Sequence, residues 1–132
     1  MNENDLSHAI IGAAIEVHRE LGGPGLLESI YEEAFAFELA QSGFKVERQV
    51  EVPVVYKGKT LSKSFRIDLL VNDLVIIECK ATEEDHELYR SQCLTYLKLT
   101  GKRLGLVINF GQKLLKNGSH RVVNQLPDNS SP

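Results

Sequence analysis

The chain has 132 residues, 42% hydrophobic and 25% charged, which suits one domain with its own core. A chain this long buries about two thirds of its unfolded surface and needs no disulfide or structural metal to fold. Collagen-like, coiled-coil and disordered compositions are excluded. No apolar run approaches the ~20 residues that span a bilayer, and a net charge of −3 argues against indiscriminate coating of nucleic acid.

The acidic start, Met1 to Asp5, lacks the basic and apolar stretch of a secretory signal, so a cytoplasmic protein without membrane attachment is expected. Cys79 and Cys93 are then buried thiols rather than a disulfide framework. Charge divides unevenly. Residues 1–44 hold eight acidic and one basic residue, whereas residues 45–132 hold fourteen basic and ten acidic. A mildly basic half beside a carboxylate cluster suits phosphate binding with metal, and equally a solvated surface.

Helical spacing of Ile10, Ala13, Ala14, Val17 and Leu21 predicts a helix over 6–21, stopped by the run Gly22-Gly23-Pro24-Gly25. A second helix is expected over 26–41, with Leu27, Ile30, Ala34, Phe37 and Leu39 toward the core and Gly43 as its left-handed cap. Alternating, Val-rich sequence predicts strands over 46–56, 64–71 and 75–80, separated by turns at 57–59 and 72–73. A helix over 83–99 follows, with acidic residues in its first turn, ended by Gly101. A buried strand over 104–110 and a short one over 120–123 complete the domain, residues 1–124. Residues 125–132 are Pro/Asn/Ser-rich and read as a disordered tail. The order α-α-β-β-β-α-β-β implies an α+β domain, a mixed β-sheet flanked by helices.

The chemistry concentrates in residues 65–80. Side chains alternate along strands, so Ile67, Leu69 and Val71 share a face, and Val75, Ile77 and Cys79 share another. Both apolar sets must meet the core, and this fixes the hairpin register. A two-residue turn would put Asp68 and Glu78 on opposite faces. A three-residue loop over 72–74, with a bulge, pairs Val71 with Val75 and sets Asp68 across from Glu78. Their Cβ atoms would then lie roughly 5 Å apart. Such carboxylates repel unless a cation or a shared proton offsets them. Lys80 shares their face. Two carboxylates and a lysine suit a hard divalent ion that activates water and offsets phosphate charge. The same residues would also make a salt-bridged strand face, with Lys80 pairing Glu78 or Asp68.

Asp68, a nine-residue gap and Glu78-Cys79-Lys80 resemble the Asp…Glu-x-Lys signature of the PD-(D/E)XK nuclease superfamily. The helix, three-stranded meander, helix and strand around it are similar to that superfamily's restriction-endonuclease-like core. Gly25-Leu26-Leu27-Glu28-Ser29-Ile30-Tyr31 resembles the Gly-x-x-Glu-x-x-Tyr signature (GxxExxY) of a small bacterial family within it. The stretches 11–18, 96–101 and 106–110 also look like that family. The resemblance covers about 8–124 and implies a Mg²⁺- or Mn²⁺-dependent hydrolase cutting phosphodiester bonds of nucleic acid, DNA foremost. It implies Asp68 and Glu78 as metal ligands, Glu28 as a third, and Lys80 as the residue that positions or activates water. Gln92 and Tyr96, four apart on one helical face, and Arg66 would contact substrate or support the lysine.

Taken alone, Glu28 would simply favour a helix dipole, and Tyr31 reads as core with a hydrogen bond. His18 reads as structural, and Cys79 as a core residue rather than a nucleophile. The alternative function is an inactive nucleic-acid-binding or protein-interaction module on the same fold. A small phosphorylated molecule as substrate is a third. The sequence carries no obvious DNA-reading appendage, and a homodimer is expected to widen the groove.

Overall fold

The computed structural model describes residues 1–127. Helix α1 (Glu3–Glu20) opens at Asn2, whose side-chain oxygen accepts the Asp5 amide at 2.8 Å. Helix α2 (Glu28–Gln41) follows the glycine-rich turn. Strands β1 (Val46–Tyr56), β2 (Lys59–Val71) and β3 (Val75–Lys80) form an antiparallel meander. Helix α3 (Glu87–Thr100) crosses over to β4 (Leu104–Asn109), which runs parallel to β3. A short helix α4 (Leu115–Gly118) leads into β5 (Ser119–Val123), antiparallel to β4. The sheet order is β1-β2-β3-β4-β5. This is the mixed sheet flanked by helices that the chain order implied, with α4 as an addition. Among the described residues no helix is long and apolar enough to cross a membrane.

The sheet is covered on both faces, so β4 is buried along its whole length. On one face α1 and α2 supply Leu6, Ile10, Val17, Tyr31, Phe35 and Leu39 against Leu69, Val71, Ile77, Cys79 and Ile108. On the other, Leu97 of α3 packs with Ile67, Leu70 and Ile76. α3 sits close because Gly105 of β4 has no side chain; a Cβ there would lie 2.4 Å from Cys93 Sγ.

Several expectations need correction. β2 starts at Lys59 rather than 64, because its first half pairs with β1 alone. α3 starts at Glu87 rather than 83. The Thr82 and Glu83 carbonyls are taken by the Gln112 side-chain amide and the Thr82 amide by Asn109, which holds this stretch as a loop. On α2, Leu27 and Phe37 are 70% and 63% exposed and Ile30 is exposed, while Tyr31, Phe35, Ala36 and Leu39 face the core. The helix is apolar on nearly every side, so periodicity alone picked the wrong stripe. Of the tail, Leu126 packs against the main core, and residues 128–132 lie outside the described residues.

Gly105→Ala should lower stability by about 1–3 kcal/mol through overpacking. The double variant Gly105→Ala/Cys93→Ala should recover part of that loss, read as urea midpoints in a double-mutant cycle.

Candidate active site

The β2–β3 ladder pairs Val71 with Val75, Leu70 with Ile76 and Leu69 with Ile77. The three-residue loop is therefore the one the hydrophobic pattern demanded. Asn72 and Asp73 both take positive φ, and the Leu74 amide donates to the Val71 carbonyl at 3.0 Å. The paired residues run without a register shift, so the expected bulge is absent from this ladder.

Pairing stops at Asp68, and it stops on both sides. Across β1, Arg48 pairs with Leu69 and Val50 with Ile67, while Gln49 lies between them at φ 52° and is unpaired. Toward β3, the Asp68 carboxylate accepts the Cys79 amide at 2.8 Å, in place of a strand carbonyl. The Glu78 carboxylate in turn draws support from the Asp68 backbone amide. This break changes the side-chain alternation. Ile67 joins Leu70 and Ile76 on the α3 face instead of sharing the α1–α2 face with Leu69 and Val71.

Burial shapes the electrostatics. Glu78 is only 6% exposed, and its Oε1 is buried without a hydrogen-bond partner among the described residues. Desolvation, and then the Asp68 charge, push its carboxyl up to about 9. The Asp68 carboxyl is also raised, chiefly by burial and against the favourable Cys79 amide. Glu28, in the first turn of α2, is raised by burial and by the Asp68 charge. Lys80 lowers all three, so it belongs to the same electrostatic group.

Lys80 makes no ion pair among the described residues; its Nζ lies 4.8 Å from the centre of the Tyr89 ring. This disagrees with a salt-bridged strand face. Tyr96 reaches the group: burial, then the Glu78 and Asp68 charges, raise its phenol, and its ring packs on Phe65 at 4.7 Å between centres. Gln92 and Arg66 are exposed, and neither contacts the carboxylates among the described residues.

Three participants escaped the sequence reading. Glu32 is buried one turn beyond Glu28 and accepts hydrogen bonds from Gln49 at 2.7 Å and Arg48 at 3.1 Å. Gln49 Nε2 also lies 3.5 Å from the Asp68 carboxylate, so it braces the site from β1. Tyr89 supports Lys80. The i,i+4 spacing of Glu28 and Glu32 was the available signal.

Glu28 is set by its own turn. The Tyr31 hydroxyl donates to the Gly23 carbonyl at 2.6 Å and accepts the Leu26 amide at 3.2 Å. Its ring stacks on Phe110 at 4.8 Å, whose amide donates to the Lys80 carbonyl at 2.8 Å. Tyr31 is thus core with hydrogen bonds, and His18 is buried with Nε2 2.9 Å from the Gln112 carbonyl oxygen. Cys79 is fully buried, and burial pushes its thiol up, which rules out a nucleophile.

Among the described residues no three His, Cys, Asp or Glu side chains are set closely enough to hold a metal ion by themselves. Asp68, Glu78 and Lys80 thus gather at one end of a mixed sheet flanked by helices, although the ladder stops before Asp68 and does not pair it with Glu78. The family model of the PD-(D/E)XK nuclease superfamily matches residues 4–122, and the chain belongs to that superfamily. No curated protein matches the chain. Among solved structures it is similar to the crystal structure of SSO0001, at 16% identity and a TM-score of 0.46, covering 92% of this chain and 79% of that one.

The raised carboxyl of Glu78 sets a pH dependence. Between about 4.5 and 9 the folded chain keeps a proton that the unfolded chain releases, so stability falls as pH rises. The slope approaches about 1.4 kcal/mol per pH unit for one group. Urea unfolding in EDTA from pH 5 to 9 should show this decline, and Glu78→Gln should flatten it.

Proposed function

We propose that this chain is a metal-dependent nuclease that hydrolyses phosphodiester bonds of nucleic acid, DNA foremost. The observation that carries the reading is the buried, unpartnered Glu78 Oε1 beside Asp68, on the strand that ends in Lys80. A buried carboxylate beside a half-buried one, both with raised proton affinity, is costly without a cation. An all-oxygen donor set suits Mg²⁺ or Mn²⁺. Such ions are commonly held by one or two protein carboxylates, with water and substrate phosphate filling the remaining positions. In this reading Asp68 and Glu78 hold the ion, and Glu28 approaches from α2 as a third carboxylate. The narrower Gly-x-x-Glu-x-x-Tyr grouping is part of the same reading, since Tyr31 and Gly25 frame the turn that presents Glu28.

A bound divalent ion supplies a water of lowered pKa and offsets phosphate charge. The chain's own residues do the rest. The Cys79 amide fixes Asp68 Oδ2, while Oδ1 receives only a long 3.5 Å contact from Gln49 Nε2 and keeps lone-pair capacity for a ligand. Gln49, anchored on Glu32, limits rotation of the same carboxylate. Lys80 Nζ, free of ion pairs and steadied by the Tyr89 ring, orients the attacking water and stabilises charge on the phosphate oxygens. Tyr96, beside the carboxylates, and exposed Gln92 and Arg66 are the nearest groups for the substrate strand. No covalent intermediate is required, because no activated nucleophile lies at the site.

Linear and circular, single- and double-stranded DNA, together with RNA, should be incubated with Mg²⁺ or Mn²⁺. Cutting is expected to need the metal. It should fall by about 10²-fold or more in Glu78→Gln and in Lys80→Ala. Cut circles would make the enzyme an endonuclease. A folded wild type that binds nucleic acid and cuts nothing with either metal would overturn the reading in favour of a binding module.

A further inference from the structure

β2 continues for ten residues beyond the last one paired with β3; Ile67 to Ser64 pair with β1 and, past an irregularity over 61–63, so do Thr60 and Lys59. Residues 51–66 therefore form a two-stranded arm. The arm leaves the sheet at the end where Asp68, Glu78 and Lys80 gather. From Ile67 back to Lys59 the strand spans roughly 27 Å at ~3.4 Å per residue. Nothing in the linear sequence marks this, because the arm reads as an ordinary hairpin and only the early end of β3 leaves it projecting.

Its charge is one-sided. Residues 57–66 carry Lys57, Lys59, Lys63 and Arg66 and no acidic residue. All four are exposed, and none makes an ion pair among the described residues. Thr60, Ser62 and Ser64 add exposed hydroxyls along the same strand. Phe65, at the root of the arm, meets the Tyr96 ring beside the site carboxylates, so the arm springs from the edge of the site.

We propose that this arm is the grip on double-stranded nucleic acid, lying along its phosphate backbone and leading the strand toward Asp68 and Glu78. The proposal rests on the nuclease reading for why a duplex is there, though the binding it describes is independent of catalysis. A two-stranded ribbon fits the ~12 Å major groove of B-form DNA. An arm of roughly 27 Å follows most of one ~34 Å helical turn. Lysines and hydroxyls are phosphate ligands. Residues 50–66 contain no Asn or Gln, and their single acid is Glu51. The arm therefore lacks the amides that read adenine in pairs, and in this proposal its lysines serve as phosphate ligands rather than base readers.

The test is the triple variant Lys57→Ala/Lys59→Ala/Lys63→Ala, with the triple Lys→Arg change as control. Duplex binding is measured in EDTA from 50 to 200 mM salt. Hydrolysis of bis(4-nitrophenyl) phosphate with Mn²⁺ is followed separately, because so small a diester does not need the arm. The alanine variant should keep the wild-type urea midpoint and diester hydrolysis. It should bind duplex more weakly, with a salt slope shallower by about 3, and the arginine variant should bind like wild type. Equal duplex affinity and slope in the alanine variant would overturn the proposal and leave the lysines as protection of a strand edge. Diester hydrolysis by a wild type that binds no duplex would also overturn it and leave the active site standing. Arm-dependent binding without any hydrolysis would sustain the arm and sink the nuclease reading.

Discussion

At Cys79 the β2–β3 ladder is carried on by a side chain. The Asp68 carboxylate takes an amide that a strand carbonyl would otherwise accept, and the two strands part from that point onward. An aspartate there satisfies the buried amide with Oδ2 and offers Oδ1 to Gln49 and the site. A residue with no side-chain acceptor at that position, such as alanine, would leave the Cys79 amide unpaired in the core, at a cost of about 1–3 kcal/mol. Gln49 absorbs the matching distortion on β1 by adopting a left-handed backbone, an uncommon state for a residue with a Cβ. One hydrogen bond thus sets the geometry of three strands.

The site is unfavourable by itself. It holds a buried carboxylate with an unpartnered oxygen, a neighbouring carboxylate and a strained glutamine, all at one end of the sheet. Stability lies elsewhere. The Tyr31, Phe35 and Phe110 rings pack in stacked and edge-on contacts, β4 is buried on both faces, and Glu3 pairs with Arg103 through two hydrogen bonds at the far end of the chain. A rigid core that carries a costly site is the usual division where local rules are broken for function.

The sequence foretold what depends on periodicity. The hairpin register followed from the requirement that Leu69, Val71, Val75 and Ile77 bury together, and the loop length followed from that register. The parallel β3–β4 pair followed from the helical crossover. Other features depend on what an element meets. α2 offers apolar side chains nearly all round, and only contact with the sheet decides that Tyr31 and Phe35 go in while Phe37 stays out. Glu83 to Asp85 would suit a helix start, yet Asn109 and Gln112, some 25 residues on, hold them as a loop. Ile67 changed faces because alternation assumes an unbroken strand, and the break at Asp68 is a tertiary event. At the site, Asp68, Glu78, Lys80 and Glu28 were readable as a motif. Glu32, Gln49 and Tyr89 were not, because each acts through a contact that exists only in the fold.

Phe110 joins parts of the site that it never touches. Its amide fixes the carbonyl of Lys80, and its ring is the surface on which Tyr31 rests. Tyr31 in turn anchors the turn that delivers Glu28. The helix carboxylate and the strand lysine lie 52 positions apart in the chain, yet they are mounted on one aromatic pivot. A change of ring size at position 110 would therefore alter the distance between two charges without altering either charge. Position 110 thus matters for alignment as much as for packing, and a smaller ring there would leave space against Tyr31 and Phe35, which both pack on it.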